Sequence, residues 1–275
     1  MLVAATLIWG GSFVVTRQAV QGVAPLVFVG VRFAVAAILV ALATRPALHR
    51  MTRTELRGGL AIGAAMVGGY GLQAVGMHMG VPSGRAAFIS ALYVPMVPLL
   101  QMIILRRRPA GRVWAALALA FAGLILLAGP LAGDATSGTV VRGELLVLGG
   151  AFAIAAEILL VGVFAPQVDP RRLAVVECVF VAFACLGAGV LFEPAWPHAA
   201  TGWLAAAALL GLASAGLQIA VNWAQRFVPP ARATLIYTLE PVWAALFGTL
   251  AGERMGPAAL AGAATILASL LVGNL

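Results

Sequence analysis

The stretch PLVFVGVRFAVAAILVALAT, residues 25–44, holds a single charge, Arg32, in twenty residues. A helix needs about 20 apolar residues to cross the hydrocarbon core of a bilayer, so this stretch reads as a complete transmembrane span. The rest of the chain repeats the pattern. Apolar runs bounded by Arg, Pro and Gly lie at 2–20, 25–44, 58–77, 85–105, 113–130, 145–164, 173–192, 203–223, 233–250 and 258–273. The fourth contains Pro95 and Pro98, which membrane helices tolerate when neighbours satisfy the freed carbonyls. Dividing 275 residues among ten spans leaves short loops only, so no soluble catalytic domain fits. Hydrophobic residues make up 63% of the chain and charged residues 9%, against about a quarter charged in soluble domains. The first run lacks a basic leader and an A-x-A cleavage site, and reads as the first helix instead of a removable signal peptide.

Every basic side chain except the three histidines is an arginine, and their placement orients the chain. With the N-terminus inside, the cytoplasmic loops hold Arg45, Arg50, Arg53, Arg57, Arg106, Arg107, Arg108, Arg112, Arg171, Arg172, Arg226 and Arg232. The outer side holds only Arg17, Arg85, Arg142 and Arg254. Both termini are therefore expected in the cytoplasm. Arginines between apolar runs, and not along one polar face, also exclude a nucleic-acid partner. Cys178 and Cys185 stand seven residues apart in one run, about 10.5 Å along a helix and too far for a disulfide. His49, His78 and His198 form no metal-ligand spacing.

Working outward from residues 25–44 reveals an internal repeat. APLVFVGVRF (24–33) matches DPRRLAVVEC (169–178) at an offset of 145, laying Pro25 on Pro170 and Arg32 on Glu177. RAAFISALY (85–93) matches RATLIYTLE (232–240) at an offset of 147, laying Arg85 on Arg232, Ala86 on Ala233 and Tyr93 on Glu240. A repeat unit of five spans is odd, so its second copy enters the membrane upside down. The expected fold is all-α integral membrane, ten transmembrane helices as two inverted five-helix repeats. Inverted repeats place a substrate site near the midplane between the halves, which points to transport between two states of similar energy.

Several short motifs now carry a resemblance. They are IWGGSF (8–13), VRF (31–33), Tyr70-x-x-Gln73-x-x-Gly76, SGRAAF (83–88), and LEPVWAALFG (239–248) followed by GE (252–253). In this order and spacing the chain resembles the drug/metabolite transporter superfamily, specifically its EamA-type ten-helix exporters, over nearly its whole length. The resemblance implies two EamA-type halves, 1–132 and 143–275, working by alternating access. It implies a central cavity lined mainly by spans 1, 3, 4, 6, 8 and 9, export of amino acids or related metabolites, and a place in the bacterial inner membrane. One departure is that the first-half counterpart of the GE turn reads RRRP (106–109) and has no acid.

Charges inside spans cost about 2.5–3.5 kcal/mol at a helix centre on insertion scales, so Arg32, Glu157, Glu177 and Glu240 each need a reason. Glu157 is thirteenth in its twenty-residue run, near the midplane, and is expected to line the cavity and meet substrate or a proton. Its alternative is a packing hydrogen bond to a neighbouring helix. Glu240 precedes Pro241 and is divided between structuring a kink and binding a ligand. Arg32 and Glu177 are expected to anchor helices. Further cavity candidates are Trp9 with Ser12, Tyr70 with Gln73, Gln218 with Asn222, and Tyr93 with Tyr237, the first three pairs sharing helix faces by spacing. Trp114, Trp196 and Trp203 lie at span ends, where tryptophans anchor at the interface. The expected substrate-binding set is thus Trp9, Ser12, Tyr70, Gln73, Tyr93, Glu157, Gln218, Asn222, Tyr237 and Glu240, with no catalytic residue, metal or cofactor. Expected partners are a small-molecule substrate, the lipid bilayer and, as a candidate coupling ion, protons. An integral-membrane enzyme would need a nucleophile–base or metal cluster that the spacing lacks. A scaffold or receptor without transport activity is the remaining alternative, disfavoured by the midplane carboxylates and the repeat.

Overall fold

The computed structural model describes residues 1–106, 109–128, 138–193, 202–250 and 256–274. Among these the regular structure is helical throughout, as lipid demands: hydrocarbon offers no partner for an exposed N–H or C=O, and a helix satisfies both internally. The α-helical segments are α1 (Leu2–Ala19), α2 (Pro25–Thr44), α3 (Arg53–Met66), α4 (Leu72–His78), α5 (Ser83–Ser90), α6 (Tyr93–Ile104) and α7 (Gly111–Ala128). They continue with α8 (Gly138–Phe164), α9 (Pro170–Phe192), α10 (Gly202–Gln225), α11 (Pro230–Tyr237), α12 (Leu239–Leu250) and α13 (Pro257–Asn274). Six stretches of the described residues are long and apolar enough to span a bilayer: Pro25–Arg50, Arg53–His78, Ser83–Ile104, Gly138–Gln167, Pro170–Phe192 and Gly202–Gln225. Gly111–Leu126 and Leu260–Gly273 are shorter apolar helices. Large apolar side chains stand on the outer surface, Phe183 at 77% and Leu212 at 61% exposure, where acyl chains take the place of water.

Helix starts follow their caps more than their apolar content. The run read from residue 58 begins as helix at Arg53, because Thr52 and Glu55 close a capping box there. Glu55 does more: its carboxylate also accepts the Asp169 N–H at 3.1 Å and pairs with Arg172 at 2.7 Å, fastening α3 to the start of α9. At the other end of α9, Glu193 accepts the Leu26 N–H at 3.1 Å and so caps α2. Pro25 and Pro170 each take a first helical position, where the missing N–H costs nothing. The eighth run, read as ending at 223, continues to Gln225. The RRRP turn at Arg107 and Arg108, the GE turn, Arg254, Trp196, His198 and residues 129–130 lie outside the described residues.

Three helices are interrupted, and the interruptions have local causes. A π turn, Val67–Gly71, links α3 to α4 through the glycine-rich VGGYG. Ala91–Leu92 separates α5 from α6. Pro95 cannot donate to Ala91, and the Ala91 carbonyl is taken instead by the Val94 N–H at 3.0 Å. Thr238 separates α11 from α12, one turn before Pro241, and its hydroxyl bonds the Leu235 carbonyl at 2.6 Å. The broken helices touch: the Ala231 N–H reaches Gln101 Oε1 at 3.3 Å.

Small residues let the helices approach. On α10, a methyl group at Gly211 would lie 2.7 Å from the Arg32 carbonyl oxygen of α2. On α3, one at Gly63 would lie 3.3 Å from the Glu177 carbonyl oxygen of α9 and 2.9 Å from the Phe180 ring. Cys178 and Cys185 are free, buried members of the same packing. Gly211→Ala is expected to destabilise the protein by about 1–3 kcal/mol through overpacking against backbone. Gly216→Ala, on the same helix with nothing within 4 Å, should leave the melting temperature unchanged or higher. Paired thermal unfolding of the two variants in detergent checks this.

Candidate functional site

The interruptions converge on one cavity with an empty volume of about 560 Å³, its open mouth included. Its wall takes Trp9, Ser12 and Phe13 from α1, Tyr70 from the π turn, Gln73 from α4, and Tyr93 from α6. From the second half of the chain come Ile154, Glu157, Ile158 and Val161 of α8, Val221 and Gln225 of α10, Tyr237 of α11 and Glu240 of α12. The π turn inserts one extra residue per turn and so re-aims Tyr70. The proline breaks set Tyr93 at the first position of α6, Tyr237 at the last of α11 and Glu240 at the second of α12.

Packing fixes the aromatic groups. The Trp9 and Tyr237 rings meet edge to face at 5.1 Å, and Phe33 meets Tyr70 in the same manner at 5.1 Å. Arg32 is buried beside this wall without being part of it. Its Nε donates to Ser214 Oγ at 2.9 Å, and its guanidinium carbon lies 5.1 Å from the Tyr70 ring centre, a cation–π arrangement that replaces lost hydration. Polar wall residues are held by neighbours: Gln73 Nε2 donates to Ser90 Oγ at 2.9 Å, Gln225 Nε2 to Tyr237 Oη at 2.9 Å, and Tyr93 Oη to Glu240 Oε2 at 3.4 Å. Ser12 turns its hydroxyl back to the Trp9 carbonyl at 2.8 Å. Glu157 is 8% exposed and, among the described residues, no hydrogen-bond donor or ion-pair partner meets its carboxylate. No group of three His, Cys, Asp or Glu among the described residues is placed to hold a metal ion.

Eight of the ten residues expected at a binding site therefore share this wall. Gln218 and Asn222 do not. Asn222 Nδ2 lies 3.1 and 3.0 Å from the two carboxylate oxygens of Glu177, and Gln218 Nε2 lies 3.4 Å from one of them and 3.2 Å from the Met66 sulfur. Their shared helix face was legible, but that face meets α9 at this height, and the buried acid there claims both amides. Glu177 thus anchors α9 to α10. Gln225 is the polar wall residue that the spacing missed, beside the apolar Phe13, Ile154, Ile158, Val161 and Val221. Its position seven residues beyond Gln218 was a usable signal, lost because the apolar run was ended at 223.

Comparison with known proteins follows the same outline. The EamA-like transporter family model matches the chain twice, over residues 1–129 and 141–275. The chain belongs to that family. Among its relatives, the uncharacterized inner membrane transporter YedA of Escherichia coli K12 is 32% identical over 272 residues, covering 92% of this chain and 83% of YedA. An uncharacterized transporter of Archaeoglobus fulgidus is 26% identical over 270 residues, covering 98% of this chain and 83% of its own. A solved crystal structure at 17% identity overlays with a TM-score of 0.74, covering 98% of this chain and 97% of the other, and so shares the fold. The chain is a multi-pass membrane protein of a transporter family.

The two uses of side-chain amides separate in a stability experiment. Asn222→Ala leaves the fully buried Glu177 short of its nearest donor and is expected to cost about 1–3 kcal/mol. Gln73→Ala, at the cavity wall where water can replace the amide, should cost less than about 1 kcal/mol. Denaturation of the purified variants in detergent reads both.

Proposed function

We propose that the chain is a secondary transporter that exports amino acids or related small metabolites by alternating access between two inverted five-helix halves. The observation that carries this reading is the cavity itself: it is shared by both halves of the chain, and it contains a buried carboxylate, Glu157, that no structural partner among the described residues explains. A midplane carboxylate costs several kcal/mol unless it meets water, a partner or its own proton. A wet, substrate-binding cavity supplies the first two. The eight wall residues named from sequence (Trp9, Ser12, Tyr70, Gln73, Tyr93, Glu157, Tyr237 and Glu240) are proposed to contact substrate, with Gln225 added. Protons are the proposed coupling ion, carried on Glu157.

A pair of contacts that exchanges under the repeat alignment supports halves of 1–132 and 143–275. Gly211 of α10 packs on the Arg32 carbonyl of α2, and Gly63 of α3 packs on the Glu177 carbonyl of α9. Arg32 and Glu177 occupy matched positions in the repeat. In this arrangement α3 and α4 form one span, as do α5 with α6 and α11 with α12, giving ten.

Two experiments test the proposal. Glu157→Gln conserves shape, so it should fold while lowering efflux from proteoliposomes by at least about tenfold, a loss of roughly 1.4 kcal/mol in barrier terms. Wild-type efflux with an unchanged pH profile would make Glu157 a packing group. For topology, a cysteine at Arg50 in a chain lacking Cys178 and Cys185 should resist an impermeant maleimide applied to intact cells and react after permeabilisation. Labelling from outside would reverse the proposed orientation, in which both termini are cytoplasmic.

A further inference from the structure

The cavity wall is chemically one-sided. Glu157 and Glu240 present carboxylates, and Gln225, 3% exposed, gives its amide N–H to Tyr237 and leaves Oε1 without a partner among the described residues. Glu157 is likewise unpartnered and more than nine-tenths buried. Neither Arg nor His belongs to the described wall. Arg32, buried beside the wall, donates to Ser214 and lies over the rings of Phe33 and Tyr70. The wall's donors, the Gln73 amide, the Ser12 hydroxyl and the phenol and indole groups, are all neutral.

From this the geometry points to an organic ammonium ion without a carboxylate, a primary amine on an aromatic or apolar body, as the substrate class of the cavity. The inference rests on the reading of this cavity as the transport site. An ammonium group supplies what the wall lacks: N–H donors for Glu157, Glu240 and Gln225 Oε1, and a positive charge to balance buried carboxylates. Trp9, Tyr70, Tyr93 and Tyr237 add aromatic faces, which attract cations and pack on an apolar body. A zwitterionic amino acid brings the same ammonium but also a carboxylate, which meets two like charges and no fixed cation. That mismatch works against the amino acid in a low-dielectric site.

Three probes that share a phenyl ring separate the charge requirements: phenethylamine carries only the ammonium, phenylalanine adds a carboxylate, and phenylacetate carries only the carboxylate. Isothermal titration of each into the purified full-length chain at pH 7 should show phenethylamine binding, phenylalanine weaker by at least about tenfold, and phenylacetate silent. Glu157→Gln and Glu240→Gln should each weaken phenethylamine by about tenfold while keeping the melting temperature. If either variant fails to fold, the wild-type series alone decides. Absent phenethylamine binding, phenylalanine binding as tight or tighter, or unaltered phenethylamine affinity in both folded variants overturns the inference. Counterflow in proteoliposomes keeps the two readings apart. Phenethylamine binding without counterflow of any probe retains the ligand class and removes transport. Phenylalanine counterflow without phenethylamine binding does the reverse.

Discussion

Pro95 and Pro241 each withhold an N–H from the helix that contains them, and hydrocarbon offers nothing in exchange. A helix broken in lipid must therefore turn its break inward, where other protein groups can take up the freed carbonyls. The rest of the molecule is arranged around this constraint. At Ala91 the exchange is made by the Val94 N–H, and at the second break the Thr238 hydroxyl ties the turn by bonding the Leu235 carbonyl. Because both breaks must be enclosed, the ends of four short helices meet inside the protein, and the side chains at those ends, Tyr93, Tyr237 and Glu240, become the wall of a cavity. The π turn at Val67–Gly71 adds Tyr70 by the same logic, a local irregularity tolerated only where it is covered.

α10 does for charge what these breaks do for shape. Ser214, Gln218, Asn222 and Gln225 run along it and meet three demands: the Arg32 guanidinium, the Glu177 carboxylate twice over, and the Tyr237 hydroxyl. Arg32 and Glu177 fall on each other at the 145-residue sequence offset and carry opposite charge, yet no ion pair joins them among the described residues. Each is neutralised locally by neutral dipoles and rings, which avoids the geometric precision a buried ion pair needs to break even. α2 and α9 can then act as a stiff, desolvated pair, capped by Glu193 and Glu55 at opposite ends, against which the cavity-lining helices are set.

Much of the architecture could be read from the chain. Uninterrupted apolar runs bounded by Arg and Pro located the helices to within a few residues, because the bilayer demands length and hydrophobicity locally. The larger errors fell at Arg53, Gly138 and Gln225, where helix extends beyond apolar sequence, at Arg53 through a capping box and at Gln225 through a polar last turn. Glu157 was legible as an anomaly for the same reason, being a charge in a place where charge is expensive.

Sequence alone determined that this is a helical membrane protein and which polar residues would need an explanation, since each of these depends on what one segment costs in lipid. Tertiary structure decided what each polar residue answers to. Gln218, Asn222 and Gln225 carry similar side chains on one helix, yet two serve Glu177 and the third faces the cavity. Periodicity defines a helix face but not the neighbour it meets, and the neighbour is chosen by small-residue contacts between distant segments, such as Gly211 on Arg32 and Gly63 on Glu177.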